Sequence, residues 1–430
     1  MTEPMIPTSA SDGASVSTNG ITGELSLPAA TVKKEPRSFK REVSWQAHAI
    51  DANAVQRTLT RLWNEVVDER RAAEGKPKRD GDAALMRTRT INLIAIADTS
   101  DDAERLRGTV TSLAEFFPSR SVILVRTPPT TLSNGLAIKL EVEEFPAKNR
   151  QTPVRFETIT VAAAGREALL ASVASPILLP ELPDFVWYPG GTFDESPLLR
   201  EVIDFADRLI VDSSRAVDPS RVLRFLAELE AGTTDGELHL SDTAWTRLVP
   251  WRQMIAQFFD PVSMQPSLEA IDDVTIVYGA GDGDGRNGVT SALLLAGWLC
   301  TRLGWRAPGE ELVRSRDGWK LTLRAGQRGR SREVILTLVA SEDPMIGPCV
   351  GRVEITAGGD VPGVFSVERL TPESVQTSSE LSSAVRRIVY VRNLDDARLL
   401  SLELRVFGSD PVYHEALGFA ANLWPEGITV

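Results

Sequence analysis

Histidine and cysteine are scarce in this chain: three histidines, His48, His239 and His414, and two cysteines, Cys300 and Cys349, in 430 residues. No histidine stands beside a second ligand or in a nucleophile motif, so the sequence offers no zinc site and no catalytic triad, and neither a catalytic nor a metal-binding set is assigned. The cysteines form neither a CxxC pair nor a disulfide ladder, a usage that suits a reducing compartment. Positive charge is also short, with 47 Lys and Arg against 59 Asp and Glu and a formal net charge of −12. That balance repels a phosphate backbone and argues against nucleic-acid binding. Long apolar runs are missing too: the longest, around Leu293–Cys300, is far too short to cross a bilayer. No basic start followed by an apolar core marks a secretory signal, so no membrane attachment and a cytoplasmic location are expected.

What is present is an ordinary globular composition, 42% hydrophobic and 25% charged, in a chain long enough for two or three cores. Residues 1–40 are rich in Ser, Thr, Gly, Ala and Pro without a sustained period and read as a disordered tail. An N-terminal α/β domain is expected over 41–237. It opens with an amphipathic helix in Asp51–Arg71, followed by a charged loop at Glu74–Asp82. The apolar run Ile91–Ala97, a helix capped by Thr99, Ser100 or Asp101 and a strand at Ser121–Arg126 make a βαβ unit, hence a mainly parallel sheet with helices. Strands at Ala137–Glu144 and Val154–Val161, a helix at Arg166–Ser175 and a helix–strand pair in Leu198–Val211 extend it. A second, α+β domain is expected over 238–430. Its helices are Asp242–Phe259, bent near Pro250, and Val289–Leu303, and its sheet is largely antiparallel. Strands are read there at Val274–Tyr278, Trp319–Arg324, Val334–Ala340, Val353–Thr356, Phe365–Val367, Ile388–Arg392 and Leu400–Val406. The last has the clearest period of two, and a closing helix lies in Tyr413–Trp424.

Several stretches carry candidate chemistry. Gly279–Gly288 follows a strand, precedes a helix and contains GxGxxG at Gly283, Gly285 and Gly288, the placement of a sugar-phosphate or nucleotide site. Asp282 and Asp284 put negative charge where a pyrophosphate would lie, which favours a flexible acidic turn over a nucleotide site. Asp212-Ser213-Ser214 after a strand reads as a helix cap, since no GxSxG turn exposes a serine. The carboxylates Glu181, Asp184, Asp194 and Glu195 cluster around a loop, Pro180–Gly191, that holds Phe185, Trp187 and Tyr188 between prolines and glycines. Such an aromatic display makes an interface hot spot, and the same tryptophan equally plugs its own core. Trp245 and Trp251 stand at near-helical spacing, with Arg252 beside them. Between Arg302 and Arg332, nine Lys or Arg face three Asp or Glu, so Arg314, Arg316 and Arg324 form either a patch for an acidic partner or a solvated strand face.

Five stretches together resemble one family: Met86–Ile94 (MRTRTINLI), Phe117–Ser121 (FPSRS), Phe205–Ser214 (FADRLIVDSS), Asp242–Arg252 (DTAWTRLVPWR) and Leu294–Trp305 (LLAGWLCTRLGW). In identity, order and spacing they are similar to the glucose-6-phosphate dehydrogenase assembly proteins of the OpcA family. The resemblance implies a non-enzymatic, cofactor-free partner that binds glucose-6-phosphate dehydrogenase, promotes its active oligomer and raises its activity, regulating the oxidative pentose phosphate pathway. Trp187, Tyr188, Trp245, Trp251, Arg252, Arg314, Arg316 and Arg324 are then the interface candidates. The family's redox control in photosynthetic relatives works through cysteines, for which Cys349, after Gly347 and Pro348, is the one plausible exposed thiol and Cys300 a buried helix residue. The rival is an enzyme that uses the Gly279–Gly288 loop.

Overall fold

The computed structural model describes residues 38–75, 89–127, 132, 134–146, 153–164, 167, 169–193, 196–232, 238–281, 285–308, 312–327, 330–380, 384–406 and 408–429. The expected tail through residue 37, most of the Glu74–Asp82 loop, residues 86–88, Asp194, Glu195 and Asp282–Asp284 lie outside them.

The chain enters through β1 (Phe39–Ala47), whose side chains alternate between half-buried and exposed, and α1 (Ala52–Ala73). Asp51 caps that helix by accepting from the Asn53 amide at 2.9 Å. Val55, Leu59, Leu62, Trp63, Val66 and Val67 form its buried stripe, as the helical period of the sequence predicts. Next come β2 (Ile91–Ala97), α2 (Ser100–Leu113), β3 (Ser119–Val125), β4 (Leu136–Phe145), β5 (Val154–Ala163), α3 (Leu169–Ala174), β6 (Asp184–Tyr188), α4 (Pro197–Ile203), β7 (Arg208–Val211), α5 (Pro219–Gly232) and β8 (His239–Asp242). β2, β3 and β7 are buried at every residue because helices or chain cover both faces, which is why they read as continuous apolar runs.

The first sheet has the order β1-β4-β5-β3-β2-β6-β7-β8. From β5 to β8 all pairs are parallel, whereas β4 runs antiparallel to β5 and β1 to β4. Numbered by appearance, the six parallel strands stand in the order 3-2-1-4-5-6, that of a doubly wound dinucleotide-binding sheet. Its last strand is His239–Asp242, so the chain leaves this sheet beyond the Gly232–Gly236 stretch.

α6 (Thr243–Arg247) and α7 (Val249–Gln257) follow, divided at Leu248 just before Pro250 as expected, and then α8 (Gln265–Glu269). The second sheet comprises β9 (Ile271–Gly279), β10 (Val313–Ser315), β11 (Gly318–Gln327), β12 (Arg330–Ser341), β13 (Val350–Ala357), β14 (Gly363–Thr371), β15 (Ser374–Glu380) and β16 (Ala384–Tyr390), in the order β10-β11-β12-β9-β13-β14-β15-β16. Only the β12–β9 pair is parallel. α9 (Val289–Leu303), apolar nearly all round, packs between β9 and α11 (Pro411–Ala420).

One expected strand is a helix. Leu400–Val406, for all its alternation, belongs to α10 (Asp396–Glu403) and the turn after it. Asp395 caps it, accepting from the Arg398 amide at 2.8 Å. Leu400 and Leu404, one helical turn apart, are 0% and 3% exposed, whereas Leu402 and Val406 are 38% and 43% exposed. Leu400 and Leu404 join the cluster of Leu106, Val110 and Leu113 from α2, so tertiary burial overrides the local period.

At the amino-terminal ends of the strands, buried Glu157 of β5 accepts from Trp63 Nε1 at 3.0 Å and Arg120 Nε at 3.1 Å, and also from Arg89. Arg120 continues to Gln56 of α1 at 2.8 Å and to the Ile177 carbonyl at 3.0 Å. Burial alone would raise the Glu157 carboxyl, but Arg89 and Arg120 hold it below the ordinary range. Glu157→Ala leaves the buried Arg120 and the half-buried Arg89 without their shared counter-charge. It should lower unfolding free energy by about 3–5 kcal/mol in urea denaturation, against about 1 kcal/mol for a surface carboxylate such as Glu65.

Candidate functional site

An open α/β sheet takes its ligand beyond the carboxyl ends of the strands, where the strand order reverses, and in this sheet that place lies between β2 and β6. A dinucleotide needs a glycine-rich turn there and free amides at the following helix. The chain instead runs Asp98-Thr99-Ser100-Asp101-Asp102 into α2. Thr99 Oγ1 accepts from the Asp102 amide at 3.2 Å and donates to the Asp102 carboxylate at 2.8 Å. The helix terminus is thus capped and faces two acidic groups of its own first turn.

The crevice beside this turn is filled by side chains from three strand ends. Arg126, just past β3, donates to Asp98 at 2.7 Å, to Glu167 at 2.7 Å and to Thr192 at 2.9 Å, and Tyr188 of β6 donates to Asp98 at 2.5 Å. Ser196, the cap of α4, donates to Glu167 at 2.6 Å. Burial works against the Arg126 charge, yet Glu167 and Asp98 raise its pKa above that of a free guanidinium. Burial and then Asp98 push the Tyr188 phenol well up. A Cβ on Gly190 would fall 2.4 Å from Asp98 Oδ2, so the close approach requires glycine at that position. The network carries two carboxylates to one cation, the wrong balance for a pyrophosphate.

A second polar centre joins the two sheets. Asp212, 2% exposed at the end of β7, accepts from Arg247 at 2.8 and 3.0 Å, from Arg286 at 3.3 Å and from the Ser214 hydroxyl at 2.5 Å. Asp242, at the end of β8, accepts from the Ser213 amide at 3.1 Å, the Ser213 hydroxyl at 2.5 Å and the Ala244 amide at 2.9 Å. The start of α9 is tied to the same turn, with Asn287 N donating to the Ser214 carbonyl at 2.7 Å and the Thr290 hydroxyl to the Ser213 carbonyl at 2.9 Å. Burial opposes ionisation of both carboxyls. Arg247 and Arg286 nevertheless hold Asp212 well below the ordinary range, whereas Asp242, which has no ion pair among the described residues and feels the Asp212 charge, is pushed up by burial to about 6. Two buried aspartates with separated acidities are the chemistry of an acid–base pair, but at 1–2% exposure neither meets a substrate. They act as a structural tie, with Asp212-Ser213-Ser214 capping a short 3-10 turn much as the sequence predicts.

Most of the sequence candidates are interior. Trp187 and Tyr188 lie in the central strand β6 at 2% and 0% exposure, and the expected aromatic loop is that strand. Trp245 and Trp251 are 5% and 1% exposed, and Arg252 stacks 3.5 Å over the Trp245 ring. Residues so buried present no surface to a partner, which corrects their reading as an aromatic display. Arg314, Arg316 and Arg324 are exposed on β10, its turn and β11. Asp184 begins β6 and accepts from Asn92 at 2.8 Å at the opposite end of the sheet from the crevice. Gly279 and Gly288 pack backbone to backbone: a Cβ on Gly279 would meet the Gly347 carbonyl oxygen at 1.7 Å, and Gly288 N donates to the Gly279 carbonyl. These glycines serve close chain approach within the protein. Cys300 is buried and Cys349 half-buried, neither forms a disulfide, and burial raises both thiols, which disfavours the reactive thiolate. No group of three or more His, Cys, Asp or Glu is placed to hold a metal among the described residues.

The sequence reading missed an exposed surface at the free edge of the second sheet. On β16, Val385, Ile388 and Tyr390 are 61%, 57% and 85% exposed, interleaved with exposed Arg386 and Arg387. Two consecutive arginines within an apolar strand are the signal that it has no covering layer.

The Asp212–Asp242 tie makes a pH-dependent prediction. Asp212, with its lowered pKa, stabilises the fold above about pH 4 and loses that contribution as pH falls. Asp242, with its raised pKa, stabilises below about pH 4 and loses its contribution as pH rises through about 6. Asp242→Asn should therefore flatten the fall in stability between about pH 4 and 6, on the order of 2 kcal/mol. Asp212→Asn should cost about 3–5 kcal/mol at pH 7. Urea midpoints across that pH range check both.

Comparison with known proteins agrees with the sequence resemblance. Residues 110–228 match the model described as the glucose-6-phosphate dehydrogenase subunit N-terminal domain, and residues 238–417 the one described as its C-terminal domain. The protein of Synechococcus elongatus that bears the name OxPP cycle protein OpcA is 27% identical over 347 residues, covering 74% of this chain and 70% of that protein. Its namesake in Nostoc punctiforme is 27% identical over 276 residues, covering 62% of this chain and 56% of that one. A solved glucose-6-phosphate 1-dehydrogenase from Mycobacterium avium aligns over 78% of this chain and 91% of its own at 9% identity, with a TM-score of 0.47, too low to carry over fold or function. Two consecutive domain models of one subunit, matched in order across both sheets, place the chain in the OpcA family of glucose-6-phosphate dehydrogenase assembly proteins.

Proposed function

We propose that this chain is a non-enzymatic cytoplasmic subunit that binds glucose-6-phosphate dehydrogenase, favours its active oligomer and raises its activity at the entry to the oxidative pentose phosphate pathway. The observation that carries this reading is the nucleotide crevice, filled by Asp98, Arg126, Tyr188 and Glu167, in a sheet whose strand order is that of a dinucleotide binder. A chain with that crevice closed acts through its surface. The family description supplies the partner.

The docking surface we assign to the dehydrogenase is the free edge of β16. Val385, Ile388 and Tyr390 supply apolar contact, the unpaired backbone groups offer strand addition, and Arg386 and Arg387 orient an acidic or carbonyl-rich face. Arg314, Arg316 and Arg324, at the opposite edge of the same sheet, add long-range attraction. An activator must bind the active form better than the inactive one, because equal affinity shifts no population. A tenfold preference needs only about 1.4 kcal/mol, within reach of one hot-spot residue.

Sedimentation velocity and initial rates of the dehydrogenase, with and without this chain, test the proposal. A larger complex and a higher rate are expected. Ile388→Glu should weaken the complex about tenfold or more with an unchanged melting temperature, since the side chain is exposed. Unchanged affinity in that variant would move the interface elsewhere, and absence of any complex in both oxidant and reductant would remove the partner.

A further inference from the structure

The most unusual unassigned feature is a cavity of about 330 Å³ between the first-sheet helices and the outer part of the second sheet. Arg247 of α6, Arg286 before α9, Arg369 of β14 and Arg392 after β16 all line it, and no Asp or Glu does among the described residues. In a chain with a net charge of −12, four arginines converging on one hollow need an explanation. Two of them are balanced. Arg247 and Arg286 lie against Asp212 at 2.8 and 3.3 Å and against Asp396 at 3.7 and 2.5 Å.

Arg369 and Arg392 are not balanced: neither has an ion pair among the described residues. Arg369 is fixed, with Nη1 donating to the Pro372 carbonyl at 2.9 Å and its guanidinium 5.8 Å from the Trp251 ring centre. Its Nε is buried with no hydrogen-bond partner, a donor left unsatisfied at a cost that a bound acceptor would relieve. Burial raises the Cys349 thiol, while Arg369 and Arg247 act in the opposite direction. The walls add carbon surface from Met345, Ile346 and Pro348, and polar groups from Thr246 and Asn393.

We propose that this cavity binds a phosphate monoester of a small hydroxylated carbon skeleton, with Arg369 and Arg392 on the phosphate and the Ile346 and Pro348 wall against the carbon chain. A phosphate monoester is close to a dianion at neutral pH, which matches the two uncompensated guanidinium groups, and planar guanidinium forks suit its oxygens. The volume is that of a small-ligand pocket, and hydroxyl and amide groups on its wall suit a polyol. The site stands on this chain alone and does not depend on the identity of its protein partner.

Calorimetric titration of the full chain at fixed ionic strength with inorganic phosphate, a pentose phosphate, a hexose phosphate and the free hexose tests it. A sugar phosphate should bind saturably and about tenfold or more tighter than inorganic phosphate, and the free hexose should give no heat. Arg369→Gln and Arg392→Gln should each weaken that binding about tenfold or more. Arg392 is exposed, so its variant keeps the fold even if the half-buried Arg369 is needed for stability. No heat with any phosphate, inorganic phosphate binding as well as the ester, or full affinity in Arg392→Gln would overturn the proposal.

Discussion

The structure depends most heavily on the buried carboxylate of Asp212. It sits where β7 ends and accepts from Arg247 of α6 and from Arg286, the residue that leads the chain from the second sheet into α9. One anion thus ties together elements far apart in sequence, and the Ser213 and Ser214 carbonyls beside it anchor Thr290 and Asn287 at the start of α9. An ion pair out of water gains little net energy over an apolar replacement, but breaking it strands charge in the interior. The tie joins β7 to α6 and to Arg286 before α9, and Asp396 lies against the same two guanidinium groups. Arg247 and Arg286 of this tie also line the hollow that Arg369 and Arg392 enter from the second sheet.

The first sheet keeps the strand order of a dinucleotide binder and fills with its own side chains the crevice where one would lie. The turn after β2 is acidic and self-capped, and the crevice at the reversal of strand order is closed by hydrogen bonds from Arg126, Tyr188 and Ser196. This arrangement leaves the sheet as a rigid platform. The proposed function accordingly assigns partner binding to surface elements that the platform holds still, among them the edge of β16.

The central strands were legible in sequence because covering both faces demands unbroken apolar runs, as in Ile91–Ala97, and α1 because a single stripe recurs at helical spacing. The family was legible from short stretches such as Asp242–Arg252, whose residues the structure shows capping, stacking and pairing in the interior. Leu400–Val406 misled because a period of two over seven residues cannot outvote a capping aspartate and a waiting apolar surface on α2. The aromatic loop misled for a related reason: Pro180, Pro183, Pro189 and the glycines after it bracket a five-residue strand, and only pairing with β2 and β7 reveals that Trp187 and Tyr188 are interior. The crevice network could not be read at all, since Asp98, Arg126, Glu167 and Tyr188 converge only through the parallel topology.

The account rests on a nucleotide fold whose crevice is closed, and direct titration of the purified chain with NAD and NADP, followed by tryptophan fluorescence and calorimetry, tests that claim most directly. No saturable binding of either dinucleotide is predicted, in the native chain or in the variant Asp98→Gly. Saturable binding that Arg126→Ala abolishes would show that the crevice opens and holds a cofactor, and would contradict the account.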